Sequence, residues 1–328
     1  MNLKKIDKKK AELDLFREDG LSLPAVLARN LEDWFRIELT YTSNALEGNT
    51  LTRQETALVV EKGLTVGGKS LQEHLEATNH AKALDWVREL AERRKGKIAE
   101  GELLEIHRLI LKGIDDENAG CYRTVPVRIS GSEVILPNPR KVPDLMEEFG
   151  RWLLNPTTGH AVEFAAEAHY RLVTIHPYAD GNGRTGRLLM NLILMMYGLP
   201  PAIIRKRDRL GYLKALEMAQ LGGSKERFYE LIAKSVDRSL DVYLKAIKGI
   251  DEAAPIKRDL LKIGQLAKEV GESVQTIRFW TQQGLLEIAD KTASDYTLYA
   301  LESLERVKRI RELKKERYTL KEILKLIS

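Results

Sequence analysis

The run His176-Pro177-Tyr178-Ala179-Asp180-Gly181-Asn182-Gly183-Arg184-Thr185-Gly186-Arg187 constrains this chain more than any other part of it. Helical periodicity lies on both sides. Ala161 to Thr174 precedes it and is stopped by Pro177, and Leu188 to Tyr197 follows, apolar almost all round and ended by Gly198-Leu199-Pro200-Pro201. Glycines flanking Asn182 free the backbone for positive φ. Successive N–H groups can then face one concavity at the positive end of the next helix, which is a place that binds anions. Arg184 and Arg187, three apart on the opening turn, can face the same anion with forked guanidiniums. A carboxylate beside phosphates is best explained as a Mg²⁺ ligand, so Asp180 is the expected metal position. His176, ahead of the turn, has the ordinary pKa of a general base for a hydroxyl that attacks phosphorus.

The surrounding chain is predicted to be mainly α-helical. Apolar residues from Leu23 to Leu90 recur at helical spacing, and Thr52-Arg53-Gln54-Glu55 reads as a capping box for a helix that Gly63 closes. Val142 to Leu154 is helical as well. Between Val125 and Leu136 the period changes to two: Val127, Ile129, Val134 and Leu136 alternate around Ser130-Gly131-Ser132, which predicts a β-hairpin. Lys248 to Arg258, polar and holding Gly249 and Pro255, is read as a linker. The expected domains are therefore an N-terminal helical region (1–95), a core with the hairpin and phosphate site (96–247), the linker (248–258) and a small C-terminal unit (259–328).

The twelve-residue run resembles the signature of the Fic family, histidine-proline-aromatic-x-acidic-Gly-Asn-Gly-Arg-x-x-Arg, with Tyr178 where phenylalanine is usual. The resemblance extends from Leu23 to about Leu244 and includes Gly120-Cys121-Tyr122-Arg123. It implies a Fic-type helical domain whose hairpin, Arg128 to Pro137, is a flap that docks the target segment by strand addition. Val127, Arg128, Ile129, Val134, Ile135 and Leu136 would form that flap. It further implies transfer of AMP from ATP to a Ser, Thr or Tyr hydroxyl of a target protein. His176 would take the hydroxyl proton, Asp180 would hold Mg²⁺, and Gly181, Asn182, Gly183, Arg184, Thr185, Gly186 and Arg187 would bind the nucleotide. By the same likeness Arg187 grips the γ-phosphate. Tyr212 stands at the position that lines the adenine pocket, where a plain core tyrosine is an equal reading. Relatives that phosphorylate carry lysine after the asparagine; Gly183 argues against that reaction here.

Ser43-Asn44-Ala45-Leu46-Glu47-Gly48 places Ser43 and Glu47 one helical turn apart, with Gly48 able to end the helix. By itself this is a common helix end. Beside the Fic signature it matches that family's inhibitory motif of Ser or Thr, three residues, Glu, then Gly or Asn. Glu47 paired with Arg187 would remove the partner of the γ-phosphate and set negative charge in its place. The same carboxylate, positioning water, would serve AMP removal instead.

In the C-terminal unit, Ile263 to Val270, a Gly271-Glu272-Ser273 turn with Ser273 as N-cap, and Val274 to Gln283 ended by Gly284 outline a helix-turn-helix. Ile263-Gly264-Gln265-Leu266-Ala267, Thr276-Ile277-Arg278-Phe279-Trp280 and Gly284-Leu285-Leu286 resemble the winged-helix head of MerR-type regulators. Tyr296 and Tyr299 would follow the wing, and Leu301 to Leu313 and Leu320 to Ile327 would be later helices. Thr297 stands where that family usually has arginine. The likeness implies Gln275 reading adenine in a major groove, with Thr276 and Arg278 on phosphate. A small domain that binds protein is the other reading. From Ile256 to Ser328 there are 15 basic and 11 acidic residues, so this segment holds most of the chain's net charge of +5.

The chain is 328 residues long, with 43% hydrophobic and 31% charged residues, which excludes a disordered or membrane-embedded protein. The lysine-rich start lacks the apolar stretch of a secretory signal, so a cytoplasmic protein is expected. Cys121, the single cysteine, is read as a small half-buried residue. The expected partners are ATP, a protein bearing a hydroxyl, DNA or protein for the C-terminal unit, and no membrane; a homodimer is compatible. The rival readings are a nucleotide-sensing DNA-binding regulator, and an AMP-removing or phosphotransferase enzyme on the same fold.

Overall fold

The computed structural model describes residues 2–18, 25–93, 98–156, 159–251, 261–288, 290–291, 297–299, 302–315 and 318–327. The chain divides into two compact units, Met1–Ile247 and Lys248–Ser328. Among the described residues, no helix is long and apolar enough to cross a membrane.

The first unit is built from α1 (Leu3–Glu18), α2 (Ala25–Leu46), α3 (Arg53–Lys62), α4 (Leu71–Arg93), α5 (Glu100–Leu111), α6 (Val142–Leu154), α7 (Ala161–Ile175), α8 (Asn182–Met196), α9 (Arg209–Gln220) and α10 (Glu226–Asp251). Short 3₁₀ turns precede α6 and α9. Helix α8 is the axis of the fold: every residue from Arg184 to Leu194 is buried, with α7, α4, α5 and α2 packed around it. Its close neighbour is α7, because a Cβ at Gly186 would stand 3.1 Å from Val173 Cγ1. One apolar core runs from Ile6 through Leu84, Ile106, Leu172 and Ile193 to Ile247.

Local chemistry explains where the helices start and stop. Thr52 and Glu55 form the reciprocal capping box of α3, and Gly63 closes the helix in the left-handed region at φ 63°. Helix α6 buries Val142, Met146, Phe149 and Leu153, one stripe at helical spacing. Helix α8 begins at Asn182, so Arg184 and Arg187 stand on its opening turn as read from the sequence, and the apolar run from Leu188 continues the same helix.

The expected hairpin is not formed. Ser132 N–H does donate to Ile129 O at 3.2 Å around Gly131, φ 75°, so the tight turn exists. The arms on either side carry no strand pairing. Side chains hold the segment at its ends and its tip. Arg123 donates to Val125 O (3.3 Å) and Pro137 O (2.7 Å), while Glu217 accepts from Ser132 Oγ (2.6 Å) and Glu133 N (3.0 Å). Pro126 and Pro137 have no N–H to offer a ladder. The alternation survives as facing: Val134 is buried and Ile135 is 90% exposed. Cys121 is exposed rather than half-buried. Of the expected linker, Lys248 to Asp251 continue α10, and 252–258 lie outside the described residues.

In the second unit, β1 (Leu261–Lys262), α11 (Ile263–Val270), α12 (Val274–Gln282), β2 (Asp290–Lys291), β3 (Thr297–Tyr299), α13 (Glu302–Lys315) and α14 (Leu320–Ile327) surround a separate core of Leu266, Ile277, Trp280, Leu285, Val307 and Ile310. The three short strands are antiparallel in the order β1-β3-β2. Ser273 caps α12 by accepting from Thr276 N at 3.0 Å. Tyr299 is buried and shares a 2.8 Å hydrogen bond with Thr281; Tyr296 and Leu301 lie outside the described residues.

Candidate active site

Helix α7 ends at His176, which is left-handed at φ 53° and is the one non-glycine residue with positive φ among the described residues. That conformation costs roughly 1–2 kcal/mol for a residue with a Cβ and persists only where its surroundings enforce it. They do so on three sides. His176 N–H donates to Leu172 O (2.8 Å), His176 O accepts from Arg123 Nε (2.7 Å), and Pro177 follows. Nδ1–H donates to Val173 O at 3.1 Å, which fixes the tautomer and leaves Nε2 as the basic nitrogen, without a hydrogen bond among the described residues. Burial pushes this imidazole below its ordinary value, and Arg123 adds to the effect, while Val173 O, Glu47 and Asp180 oppose it. His176 is thus neutral at pH 7 and equipped to accept a proton.

The loop is fastened from within. Asn182 Oδ1 accepts from Tyr178 N (3.0 Å) and its Nδ2 donates to Tyr178 O (2.9 Å), so the asparagine side chain staples the loop and only its backbone faces outward chemistry. Tyr178 is fully buried, stacks on His107 with ring centroids 3.7 Å apart, and finds a hydroxyl partner in Leu103 O at 3.2 Å. His107 holds the turn from the other side: it accepts from Gly120 N at Nδ1 (3.0 Å) and donates from Nε2 to Asp180 O (2.9 Å). Gly181 caps α8 at φ 78°, packed against the His107 ring.

Arg184 is 3% exposed and donates to Asp180 Oδ2 at 2.9 Å, with Glu76 at 3.7 Å. Its Nε and Nη1 are buried without a hydrogen-bond partner, which is costly for a cation and marks a place for an anion's oxygens. The Asp180 side chain is 66% exposed. Among the described residues no cluster of three or more metal-ligating side chains exists. A single open carboxylate beside phosphate positions nonetheless fits Mg²⁺, which takes one or two carboxylates together with substrate phosphates.

Arg187 is the most enclosed charge. Its Nε donates to Ser43 Oγ (2.9 Å), Nη2 to Ser43 O (3.0 Å) and to Glu47 Oε1 (2.5 Å), and Nη1 to Tyr212 OH (3.4 Å). Burial is the largest influence and lowers its pKa, but the Glu47 carboxylate and the Tyr212 hydroxyl together more than offset it and hold it above the usual arginine range. Glu47 sits just past the end of α2, at a turn closed by Gly48 at φ 105°. Arg209 donates to Leu46 O at 2.7 Å and so caps that helix end. The carboxylate lies over the phosphate turn so closely that a Cβ on Gly183 would collide with it. The cavity shared by Glu47, Gly183, His176, Arg187, Tyr212 and the flap loop 129–132 measures about 190 Å³. Pockets for drug-sized ligands run about 300–1,000 Å³.

The structure therefore brings together His176, Asp180, Gly181, Gly183, Arg184, Arg187, Tyr212, Ser43 and Glu47. Tyr212 is both a cavity wall and a core residue, 2% exposed. Thr185 is fully buried with Oγ1 unpartnered, and Gly186 faces α7, so both pack the helix and leave the cavity to their neighbours. Val127, Ile129 and Leu136 are half-buried, Val134 is buried, and Arg128 and Ile135 are exposed. On α12, Gln275 and Arg278 are exposed and Thr276 is half-buried. Sequence reasoning missed His107 and His169, and placed Arg123 in the family likeness without a role. His169 Nε2 stands 2.9 Å from the Tyr212 hydroxyl.

Three histidines around this site are buried and neutral: burial pushes His80 and His169 down to about 3 and His107 to about 4. Unfolded, each titrates at its ordinary value near 6.5, so below that pH the unfolded chain binds more protons than the folded one. Stability should fall as pH drops from 6.5, by about 1.4 kcal/mol per pH unit for each such histidine. Urea unfolding at pH 7.5, 6.5, 5.8 and 5.2 should show the decline setting in below 6.5. A stability unchanged down to 5.2 would contradict three neutral buried imidazoles.

Residues 97–194 match the Fic/DOC family, and residues 261–328 match the MerR HTH family regulatory protein. The chain is 40% identical over 244 residues to the protein adenylyltransferase Fic of Nematostella vectensis, covering 74% of this chain and 55% of that protein. The protein adenylyltransferase Fic of Culex quinquefasciatus is 37% identical over 257 residues, covering 76% and 51%. Among solved structures, Fic-1 (residues 134–508) of C. elegans superposes with TM-score 0.65 at 32% identity, covering 74% of this chain and 73% of that one. A Fic domain containing signaling protein of Bacteroides thetaiotaomicron gives 0.68 at 30% identity, covering 76% and 98%. This chain belongs to the Fic/DOC family and ends in a MerR-like helix-turn-helix region. It spans about half the length of the curated relatives it matches.

Proposed function

We propose that this chain is a protein adenylyltransferase, moving AMP from ATP to a hydroxyl side chain of another protein, and that Glu47 holds it in check. The observation that carries the reading is the meeting, in one cavity, of an oriented neutral histidine with a helix-N-terminal phosphate turn and a buried arginine. Naming of the curated relatives as adenylyltransferases supports it.

The target hydroxyl loses its proton to His176 Nε2 as its oxygen attacks the α-phosphorus of ATP. The phosphoanhydride bond to the β-phosphate breaks, and pyrophosphate leaves. The amides of the Asn182–Gly183–Arg184 turn and the positive end of α8 receive phosphate oxygens. Arg184 offers them Nε and Nη1, which have no hydrogen bond of their own, and Arg187 takes the terminal phosphate once Glu47 has withdrawn. Asp180 would hold Mg²⁺, whose charge offsets that of the phosphates. The exposed Ile135 and the arms beside it are free to pair with an extended target segment. A pure nucleotide sensor has no use for a histidine held in a strained conformation with one nitrogen kept basic.

The reaction type is tested by mass. Incubation of the Glu47→Gly chain with Mg²⁺, ATP and a cell extract should give proteins heavier by AMP; phosphate adducts would identify a phosphotransferase. For the C-terminal unit we propose DNA binding through α12, with Gln275 and Arg278 outward. A gel-shift salt series on the full chain should show duplex binding that weakens steeply with salt, and less so for Arg278→Ala. Binding that ignores salt, or no shift at low salt, would leave this unit to a protein partner.

A further inference from the structure

A second cavity, of about 440 Å³, opens beside α2 and away from the catalytic one. At 100° per residue, Trp34, Glu38, Tyr41 and Thr42 lie on one face of that helix and Ser43 on another, towards Arg187. The cavity wall holds five cations, Arg53, Arg205, Lys206, Arg207 and Arg238, against a single carboxylate, Glu38. That carboxylate is buried and already paired with Arg53. Arg238 is engaged by Asp208 at 3.5 Å and Ser235 Oγ at 2.9 Å. Arg205, Lys206 and Arg207 have no ion pair among the described residues. Three consecutive cations gathered at one concavity repel one another and create a local positive potential that attracts an anion. The lining also includes two aromatic rings beside small polar and aliphatic side chains: Trp34 is 41% exposed, and Arg53 lies over the Tyr41 ring at 5.9 Å.

We propose that this cavity is a second anion site, which takes a phosphorylated small molecule of nucleotide size, its phosphates on Arg205, Lys206 and Arg207 and its ring beside Trp34 and Tyr41. The volume lies within the range of small-molecule sites, and guanidiniums grip phosphate oxygens in pairs. Its position makes it a control point. Arg53 opens α3 directly after the turn that carries Glu47, and its pairing with Glu38 ties that turn back onto α2. Arg209, two residues past Arg207, caps α2 through Leu46 O. A ligand that draws Arg53 off Glu38 and shifts 205–207 therefore acts on both ends of the Glu47 turn; this consequence rests on Glu47 being the brake, whereas the binding site does not.

The test is calorimetric titration of the full chain with ADP, without Mg²⁺, on wild type, Arg205→Ala/Arg207→Ala and Arg184→Ala. The wild-type binding is expected to persist in Arg184→Ala and to weaken about tenfold or more in the double variant, whose side chains lie outside the core. Loss in Arg184→Ala with none in the double variant would place ADP in the catalytic cavity alone and overturn the site. No heat at millimolar ADP, or binding of an oligonucleotide in its stead, would overturn the ligand class. Hydrogen exchange at residues 47–52 should quicken on ADP binding to the Arg184→Ala chain. Unchanged exchange with binding mapped to Arg205 and Arg207 would overturn the link to Glu47 and leave the site standing.

Discussion

Glu47→Gly is expected to raise the rate of AMP transfer by about ten- to a hundredfold. The contact that must break is the charged hydrogen bond from Arg187 to Glu47. A hydrogen bond between two charged groups contributes about 1.5–3 kcal/mol, and each 1.4 kcal/mol is a factor of ten in the population of the open form. Glu47 is 41% exposed, which keeps the value at the lower end by solvent screening. Stability should move the other way. Without the carboxylate, the buried Arg187 keeps Ser43 and Tyr212 as partners but has no countercharge. The variant should therefore melt lower than wild type, and ATP should restore more of its melting temperature than it adds to wild type. Glu47→Gln, which keeps a hydrogen-bonding group and removes the charge, should fall between the two. A variant as slow as wild type, with ATP affinity unchanged, would remove the brake from the account.

His176→Ala in the Glu47→Gly background is expected to reduce transfer by about 10²–10⁴-fold, the usual contribution of a positioned base. The fold should survive, since alanine and histidine face the same backbone strain at φ 53° and neither side chain anchors the turn by itself. Nucleotide binding should survive as well, because the phosphate turn and Arg187 are untouched. The pH profile carries a second signature. Burial sets the imidazole below its ordinary value, so the rate should be level above pH 7 and decline only in acid. Glu47 raises that pKa, so the acid limb of the Glu47→Gly enzyme should lie lower than that of wild type. A rate that keeps climbing from pH 7 to 9 would point to another base.

Local rules made much of this molecule legible. Capping at Thr52 and Ser273, the apolar stripe of α6 and the positive φ of Gly181 each act within a few residues, and the structure follows them; Gly183, freed for the same conformation, is instead helical on the opening turn of α8. The pairing of Ser43 and Glu47 with Arg187, across 144 and 140 residues, was reachable only because the family likeness tied two distant motifs together. His107 had no such link, and for Arg123 the likeness marked the position without its partner. They bond to backbone oxygens of Asp180 and His176, 73 and 53 residues away, and nothing in their own neighbourhood records it. The hairpin failed for a related reason. A period of two reports an extended chain with one face inward, but not which groups satisfy its backbone. Here Arg123 holds the base of the segment through Val125 O and Pro137 O, Glu217 holds its tip through Glu133 N, and the arms between are left unpaired with each other. Asn182 shows the converse: its position in the loop was legible, yet its side chain staples Tyr178 rather than the nucleotide.

Braked AMP transfer is measured by incubating wild type, Glu47→Gly and Glu47→Gly/His176→Ala with Mg²⁺ and ATP labelled at the α-phosphate, with a γ-labelled control, and reading the label that reaches protein. AMP transfer under a Glu47 brake gives α-label alone, faint in wild type, strong in Glu47→Gly and absent from the double variant. Label from the γ-phosphate, or equal α-labelling of wild type and Glu47→Gly, would contradict it.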